Sequence, residues 1–107
     1  AIVERLGTRA VLNIDRVIFA IVNSGGFRLK VLSYDSGCGI PETAYLMRDV
    51  NILISTHGNA LGGSLWMPSP PSHPHPVVIS IDSTKYYENW FQWTSTAMAQ
   101  RFIIHRC

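Results

Sequence analysis

The 107-residue sequence predicts one α/β domain built on a mainly parallel sheet, and three observations support this fold class. Short apolar runs of strand length alternate with segments of helical periodicity. The run at residues 77–81 is almost continuously hydrophobic, as strands covered on both faces are. Such alternation favours right-handed crossovers and a doubly wound sheet. We therefore expect a Rossmann-like domain over residues 1–107, with helices on both faces of the sheet.

The first helix is predicted by apolar residues at positions i, i+3, i+4, i+7 and i+8, which are Ile14, Val17, Ile18, Ile21 and Val22. Asn13 is a favourable N-cap for this helix, and the acidic Asp15 lies in its first turn. Residues 23–26, Asn-Ser-Gly-Gly, are typical of a helix end. Ile2 and Val3, before this helix, indicate a short first strand.

The remaining elements follow from the same patterns. Later strands are expected near residues 30–33, 52–55, 77–81 and 102–104. Further helices are expected from Pro41 to about Asp49, from Ala60 to before Pro68, and over residues 85–100. The last helix carries five aromatic residues that we expect to pack on the sheet rather than stack on a ligand: Tyr86, Tyr87, Trp90, Phe91 and Trp93.

Residues 68–76 contain five prolines and are predicted to form an extended loop, because proline lacks a backbone donor. His73 and His75 lie in this loop, but no further zinc ligands stand at suitable spacing. The sequence therefore predicts no metal site. Cys38 and Cys107 are too few for a disulfide framework.

Composition narrows the classes of partner. The formal charge is only +2, and the nine Lys and Arg residues form no cluster, which argues against a nucleic-acid partner. Discrete anions remain plausible ligands. No apolar run approaches the roughly 20 residues of a membrane span. The chain opens without Met inside an apolar stretch, so we expect it to be a piece of a larger protein, with any membrane anchor upstream.

The segment at residues 51–61 holds the clearest functional signal. An apolar strand stops at Ser-Thr-His-Gly, and a helical pattern follows. Such a turn leaves free N–H groups at the carboxyl end of a strand, where phosphates bind in open α/β sheets. His57 adds a donor and, when protonated, a charge. The alternative is a purely structural turn in which His57 caps the helix, and the pattern alone favours neither.

Several motifs resemble one family. Residues 8–13, TRAVLN, are similar to its TR-x-(I/L)-L-N segment, and residues 49–61 to its segment containing the His-Gly pair. Residues 65–68, LWMP, are similar to L-F-(M/L)-P, and residues 77–81 to a strand usually ending in Glu and an apolar residue. The family is glycosyltransferase family 61, also called DUF563, whose members include fungal proteins. The resemblance spans nearly the whole chain in order.

The resemblance implies an inverting GT-B-type glycosyltransferase, of which this chain would be the C-terminal, donor-binding half. It implies a nucleotide-sugar donor, usually a UDP-sugar, a glycan or glycoprotein acceptor, and no obligatory metal or other cofactor. It also implies residence in the Golgi or endoplasmic reticulum lumen. The general base is expected outside this chain, so the chain alone would bind donor without turnover.

The expected donor site combines the resemblance with the chemistry of the residues. A departing diphosphate needs positive charge and donors, which Arg9 and His57 provide from loops at one sheet edge. His57 is the candidate catalytic residue. The full set of candidate donor-binding residues is Arg5, Arg9, Asn13, Glu42, His57, Gly58 and Asn59. For Asn13 a plain N-cap, and for Glu42 a favourable first-turn acid, are the structural alternatives.

The sequence departs from the family pattern at five of the positions compared: Thr43, Asn59, Gly62, Gly63 and Ser80. These departures define an alternative, a catalytically silent or truncated relative whose donor site has decayed. A third possibility, an unrelated Rossmann-like nucleotide-binding module, predicts a glycine-rich first turn, and no such turn follows Val3.

Overall fold

The central sheet consists of five parallel strands in the order β2-β1-β3-β4-β5. The computed structural model describes residues 1–7, 9–33, 39–68, 75–85 and 88–107. The strands are β1 (Ile2–Glu4), β2 (Val31–Ser33), β3 (Ile52–Thr56), β4 (Val77–Asp82) and β5 (Arg101–Arg106). All five predicted strands are present, and β5 runs two residues further than expected at its carboxyl end. The predicted Rossmann-like α/β class is confirmed.

Three α-helices and one 3₁₀ helix connect the strands: α1 (Ile14–Ser24), α2 (Ile40–Met47), the 3₁₀ helix (Asn59–Trp66) and α3 (Trp90–Ala97). The predicted bounds of α1 are correct. Helix α2 has a proline in its first turn, as expected, and ends at Met47 rather than near Asp49. Among the described helices, none is long and apolar enough to cross a membrane.

The main core lies between the sheet and the layer formed by α2, the 3₁₀ helix and α3. Leu53 and Val78 point from β3 and β4 into this layer and are fully buried, as are Met47 and Leu61 on the helical side. Phe91 of α3 packs against the same cluster. This core fixes the positions at which β3 and β4 end, and those ends carry the candidate site.

The opposite face of the sheet is covered less completely. Only alternate residues of β4 are buried, and Ile79 and Ile81 on the other face are half-buried. Helix α1 lies on this side, where Ile21 lines a cleft together with Ile54 and Ile79. None of the eleven residues of α1 is buried, including the five that form its apolar stripe. The stripe therefore makes only partial contact with the sheet.

Two helix predictions were wrong in detail. The segment after His57 is a 3₁₀ helix rather than an α-helix, and it contains Gly62 and Gly63, which have poor helix propensity. The last helix begins at Trp90 instead of residue 85. Asn89 precedes it at the N-cap position, where asparagine is favoured. Tyr86 and Tyr87 lie outside the described residues.

The expectation that the aromatic residues of α3 pack on the sheet was also wrong for two of them. Trp90 and Trp93 are 63% and 65% exposed, whereas Phe91 is half-buried. On a helix, residues 91 and 95 share one face, and Ser95 is buried. The face of α3 that contacts the sheet is therefore the Phe91–Ser95 face, and the two tryptophans point away from it.

The loop predictions are tested only in part. His75 is exposed, and its Nδ1 lies 2.9 Å from the carbonyl oxygen of Ala99. His73 and Cys38 lie outside the described residues, and Cys107 is an exposed free thiol. Within the described part of the chain, no group of three His, Cys, Asp or Glu residues is placed to hold a metal ion.

Candidate anion-binding site

The loops that follow β1 and β3 meet at the carboxyl edge of the sheet. The two strands are parallel neighbours, paired at Ile2 and Ile54, so both loops leave from the same side. Arg9 Nη1 donates a hydrogen bond to the His57 carbonyl oxygen, with the two atoms 3.3 Å apart. Arg9 and His57 therefore meet in one cleft, as the sequence predicts. Their role in ligand binding stays a prediction.

Gly58 allows this close approach. Its φ of 139° and ψ of −172° are accessible almost only to glycine. A Cβ atom at this position would lie 2.7 Å from Arg9 Nη1 and 3.1 Å from Arg5 Nη1. Both guanidinium groups thus lie directly against the backbone of the turn. Glycine is required here for its backbone conformation and for the space it leaves.

The His57 side chain is 8% exposed and lies between two carboxylates. Its Nδ1 is 4.0 Å from Asp82 Oδ2, and its Nε2 is 3.8 Å from Glu88 Oε2. The Phe91 ring meets the imidazole edge-on, with ring centroids 5.4 Å apart. The His57 backbone N–H donates to the Ile81 carbonyl oxygen, which joins the turn to the end of β4. The imidazole is therefore fixed by packing, with a carboxylate beside each ring nitrogen.

Sequence reasoning missed Asp82 and Glu88. Asp82 is 2% exposed, and the Ser80 hydroxyl donates a hydrogen bond to its Oδ1. The register between β3 and β4 would have identified Asp82, because Thr56 of β3 is paired with Ile81 of β4. The next residue of each segment, His57 and Asp82, must then be neighbours at the sheet edge. That register cannot be read from the sequence, so the pair was not identified.

Two clefts at the carboxyl edge share Arg9 and His57. The smaller, of about 270 Å³, is the more polar, and its described lining residues are Arg5, Arg9, His57, Gly58, Asn59, Glu88, Trp90 and Phe91. The larger, of about 580 Å³, is lined by Thr56, His57, Ile81, Asp82, Ser83, Cys107 and residues 9–13. The polar cleft therefore brings together five of the seven predicted site residues: Arg5, Arg9, His57, Gly58 and Asn59.

The other two predicted residues lie elsewhere. Asn13 lines the larger cleft and occupies the N-cap position of α1, but its side chain makes no capping hydrogen bond to the described residues. Glu42 is exposed in the first turn of α2, with its carboxylate beside Gly39. Among the described residues that line the two clefts, Glu42 is not found. Its assignment to the donor site therefore has no support from the geometry.

The polar cleft has the chemistry of an anion site. Guanidinium groups stay protonated at any physiological pH and donate charge-assisted hydrogen bonds to phosphate oxygens. Two of them converge here on a turn that precedes a helical segment. Glu88 places a carboxylate in the same cleft, where it opposes a bound anion unless it moves.

Comparison with known proteins relates the chain to a glycosyltransferase. No family model matches the chain. A rice (Oryza sativa subsp. japonica) protein described as the beta-1,2-xylosyltransferase XAX1 is 29% identical over 68 residues. The similar region covers 64% of this chain and 12% of the rice protein, so the chain spans about an eighth of that protein's length. The chain thus resembles one segment of a glycosyltransferase, and membership of family 61 stays a prediction.

Proposed function

We propose that this chain is the donor-binding domain of an inverting glycosyltransferase of family 61, the C-terminal half of a GT-B-type fold. In this proposal the whole protein transfers a sugar from a nucleotide-sugar donor to a glycan or protein acceptor in the secretory pathway. The observation that carries this proposal is the convergence of Arg5 and Arg9 on the Gly58 turn beside His57. The similarity to a rice xylosyltransferase supports it independently.

The proposed ligand group is the diphosphate of a UDP-sugar. Transfer of the sugar leaves negative charge on the diphosphate, and an enzyme accelerates the step by stabilising that charge. In this proposal the hydrogen-bond donors to the diphosphate are Arg5, Arg9 and the backbone amides of the Gly58 turn, and no metal ion takes part. His57, as imidazolium, donates to the same oxygens and is the proposed catalytic residue.

Trp90 extends the proposed donor site to the sugar. Its indole is exposed at the rim of the polar cleft, next to Phe91. A flat aromatic face stacks well on the apolar C–H face of a pyranose, and the sugar is bonded directly to the diphosphate. Because the similar rice protein is described as a xylosyltransferase, UDP-xylose is the first UDP-sugar to test.

A second candidate function is a non-catalytic relative with a decayed donor site. The observation that favours it is Glu88, whose carboxylate occupies the polar cleft 3.8 Å from His57 Nε2. A negative group at that position weakens the attraction for phosphate. In this candidate the buried charges around His57 serve stability alone.

Calorimetric titration of the 107-residue chain with UDP and with uridine separates the two candidates. The donor-site proposal predicts that UDP binds at least about 10-fold more tightly, since one charge-assisted hydrogen bond contributes roughly 1.5–3 kcal/mol. Uridine is the matched control because it lacks only the diphosphate. Equal affinities, or no binding of either ligand, would contradict the proposal and favour the non-catalytic relative.

A further inference from the structure

Two carboxylates lie at nearly equal distances from the His57 ring, but their surroundings differ sharply. Asp82 Oδ2 is 4.0 Å from Nδ1, and Glu88 Oε2 is 3.8 Å from Nε2. The Asp82 side chain is 2% exposed, whereas that of Glu88 is 28% exposed. Equal distance combined with unequal burial indicates that the two groups act differently on the imidazole.

Asp82 is held in place from several directions. The Ser80 hydroxyl donates to its Oδ1, and Ser80 is itself fully buried. The Asp82 carbonyl oxygen accepts the Cys107 N–H at 2.9 Å, which fixes the strand end to β5. A carboxylate this deeply buried requires a compensating charge or hydrogen bonds. The His57 imidazole lies beside it, and Arg106 of β5 is in register with it.

Glu88 has a different setting. It lies in the segment between β4 and α3 and lines the polar cleft with Arg5, Arg9 and Asn59. Its side chain is 28% exposed and therefore in contact with solvent. The Nε2 side of His57 thus faces a solvent-accessible carboxylate, and the Nδ1 side faces a buried one.

We propose that Asp82 is the positioning residue of the donor site, holding the His57 ring with Nε2 facing the bound diphosphate, while Glu88 occupies the anion position until the ligand displaces it. The inference rests on the proposed function of this cleft. Among the described residues, the charged or titratable groups that line the clefts around His57 are Asp82 on β4, Glu88 before α3, Arg5 and Arg9 after β1, and Cys107 after β5. Arg106 on β5 is in register with Asp82. Asp82 is the most deeply buried of these.

The matched variants Asp82→Asn and Glu88→Gln test the proposal in UDP titrations of the 107-residue chain. Each replaces a carboxylate by an isosteric amide and raises the net charge by one. If only the net charge of the chain mattered, both variants would therefore bind UDP more tightly than the wild type. We expect Glu88→Gln to bind UDP about 2- to 10-fold more tightly, because a like charge leaves the cleft. Asp82→Asn should instead bind about 2- to 100-fold more weakly, the range of coupling between contacting groups.

Rescue by a conservative variant provides a readout that a general loss of structure does not predict. Asp82→Glu keeps a carboxylate at the end of β4, beside His57, and should retain more UDP affinity than Asp82→Asn. The variant Ser80→Ala keeps the charge of Asp82 but removes the hydroxyl that donates to it. It should also weaken UDP binding, but less than Asp82→Asn does. If Asp82→Asn fails to fold, Ser80→Ala provides the test of the positioning role.

Two failures are distinguishable. If the wild type does not bind UDP, the proposed function fails and this inference fails with it. If the wild type binds UDP but Asp82→Asn binds as tightly as Glu88→Gln, the donor site stands and the positioning role of Asp82 is wrong. When only Ser80→Ala folds, unchanged UDP affinity in that variant overturns the role.

Discussion

A cleft at each edge of the sheet brings together two cationic side chains and a carboxylate, but the cations contact different groups. At the amino edge, a cleft of about 520 Å³ includes Arg28, Lys30 and Asp49. Lys30 and Arg28 contact Asp49 at 2.5 and 3.1 Å, so these charges pair with each other. At the carboxyl edge, Arg5 and Arg9 converge instead on the backbone of a glycine turn.

The difference indicates where binding energy is available. Ion pairs at an exposed surface contribute little to stability, commonly about 0–1 kcal/mol, and at the amino edge Arg28 and Lys30 both form such pairs with Asp49. At the carboxyl edge, a backbone conformation restricted to glycine is combined with two guanidinium groups and a buried histidine. Unusual backbone conformations of this kind cluster at functional sites. We therefore infer that the carboxyl edge binds the ligand and that the amino edge is structural.

The largest expected effect comes from removing one arginine at each edge. Arg9→Ala should weaken UDP binding by about 10- to 200-fold, because a charge-assisted hydrogen bond of roughly 1.5–3 kcal/mol is lost. Arg28→Ala removes the same charge at the amino edge and should leave UDP affinity within about 2-fold. Isothermal titration calorimetry measures both. Equal losses in the two variants would show that UDP responds only to net charge.

Gly58→Ala should affect stability and binding together. Its φ of 139° disfavours alanine, and the added Cβ would displace the Arg9 and Arg5 guanidinium groups. We expect a loss of about 1–3 kcal/mol in the free energy of unfolding, measured by urea denaturation, and weaker UDP binding. Gly26→Ala is the control, since Gly26 also has positive φ but meets no atom within 4 Å of an added Cβ. It should lower stability and leave UDP affinity unchanged.

Trp90→Ala should have a smaller effect, confined to the sugar. Stacking contributes about 0.5–1.5 kcal/mol, so affinity for UDP-xylose should fall about 2- to 10-fold while affinity for UDP stays the same. Trp93, similarly exposed on α3 but not among the described residues lining the polar cleft, is the matched control. A Trp93→Ala variant that loses as much affinity would place the sugar outside the proposed site.

The smallest effect concerns the amino edge and pH. The hydrogen bond from Lys30 holds the pKa of Asp49 below its ordinary value. Ionised Asp49 therefore stabilises the folded chain at any pH above its unfolded-state pKa of about 3.9. That stabilisation disappears as the pH falls through the lower pKa that Asp49 has in the folded state. Asp49→Asn should have a slightly lower melting temperature than the wild type at pH 7, and the difference should disappear under strongly acidic conditions. A difference in melting temperature that grows in acid would contradict this prediction.

Sequence patterns predicted the layered fold and the meeting of Arg9 with His57, because both depend only on strand order and direction. Asp82 and Glu88 were missed since their contacts with His57 depend on strand register and on the path of the chain before α3. The faces of Trp90 and Trp93 were misassigned because the spacing of aromatic residues along a helix does not show which of its faces meets the sheet. Local periodicity does not encode these tertiary relations.

Binding of the diphosphate at the Gly58 turn is tested most directly by titrating the ¹⁵N-labelled chain with UDP and following the amide chemical shifts. We expect the largest shifts at Arg9, His57, Gly58 and Asn59 on the carboxyl edge, and no change at Lys30, Asp49 and Asn51 on the amino edge. Shifts centred on the amino edge, or no shifts at millimolar UDP, would contradict the assignment of the donor site to the Gly58 turn.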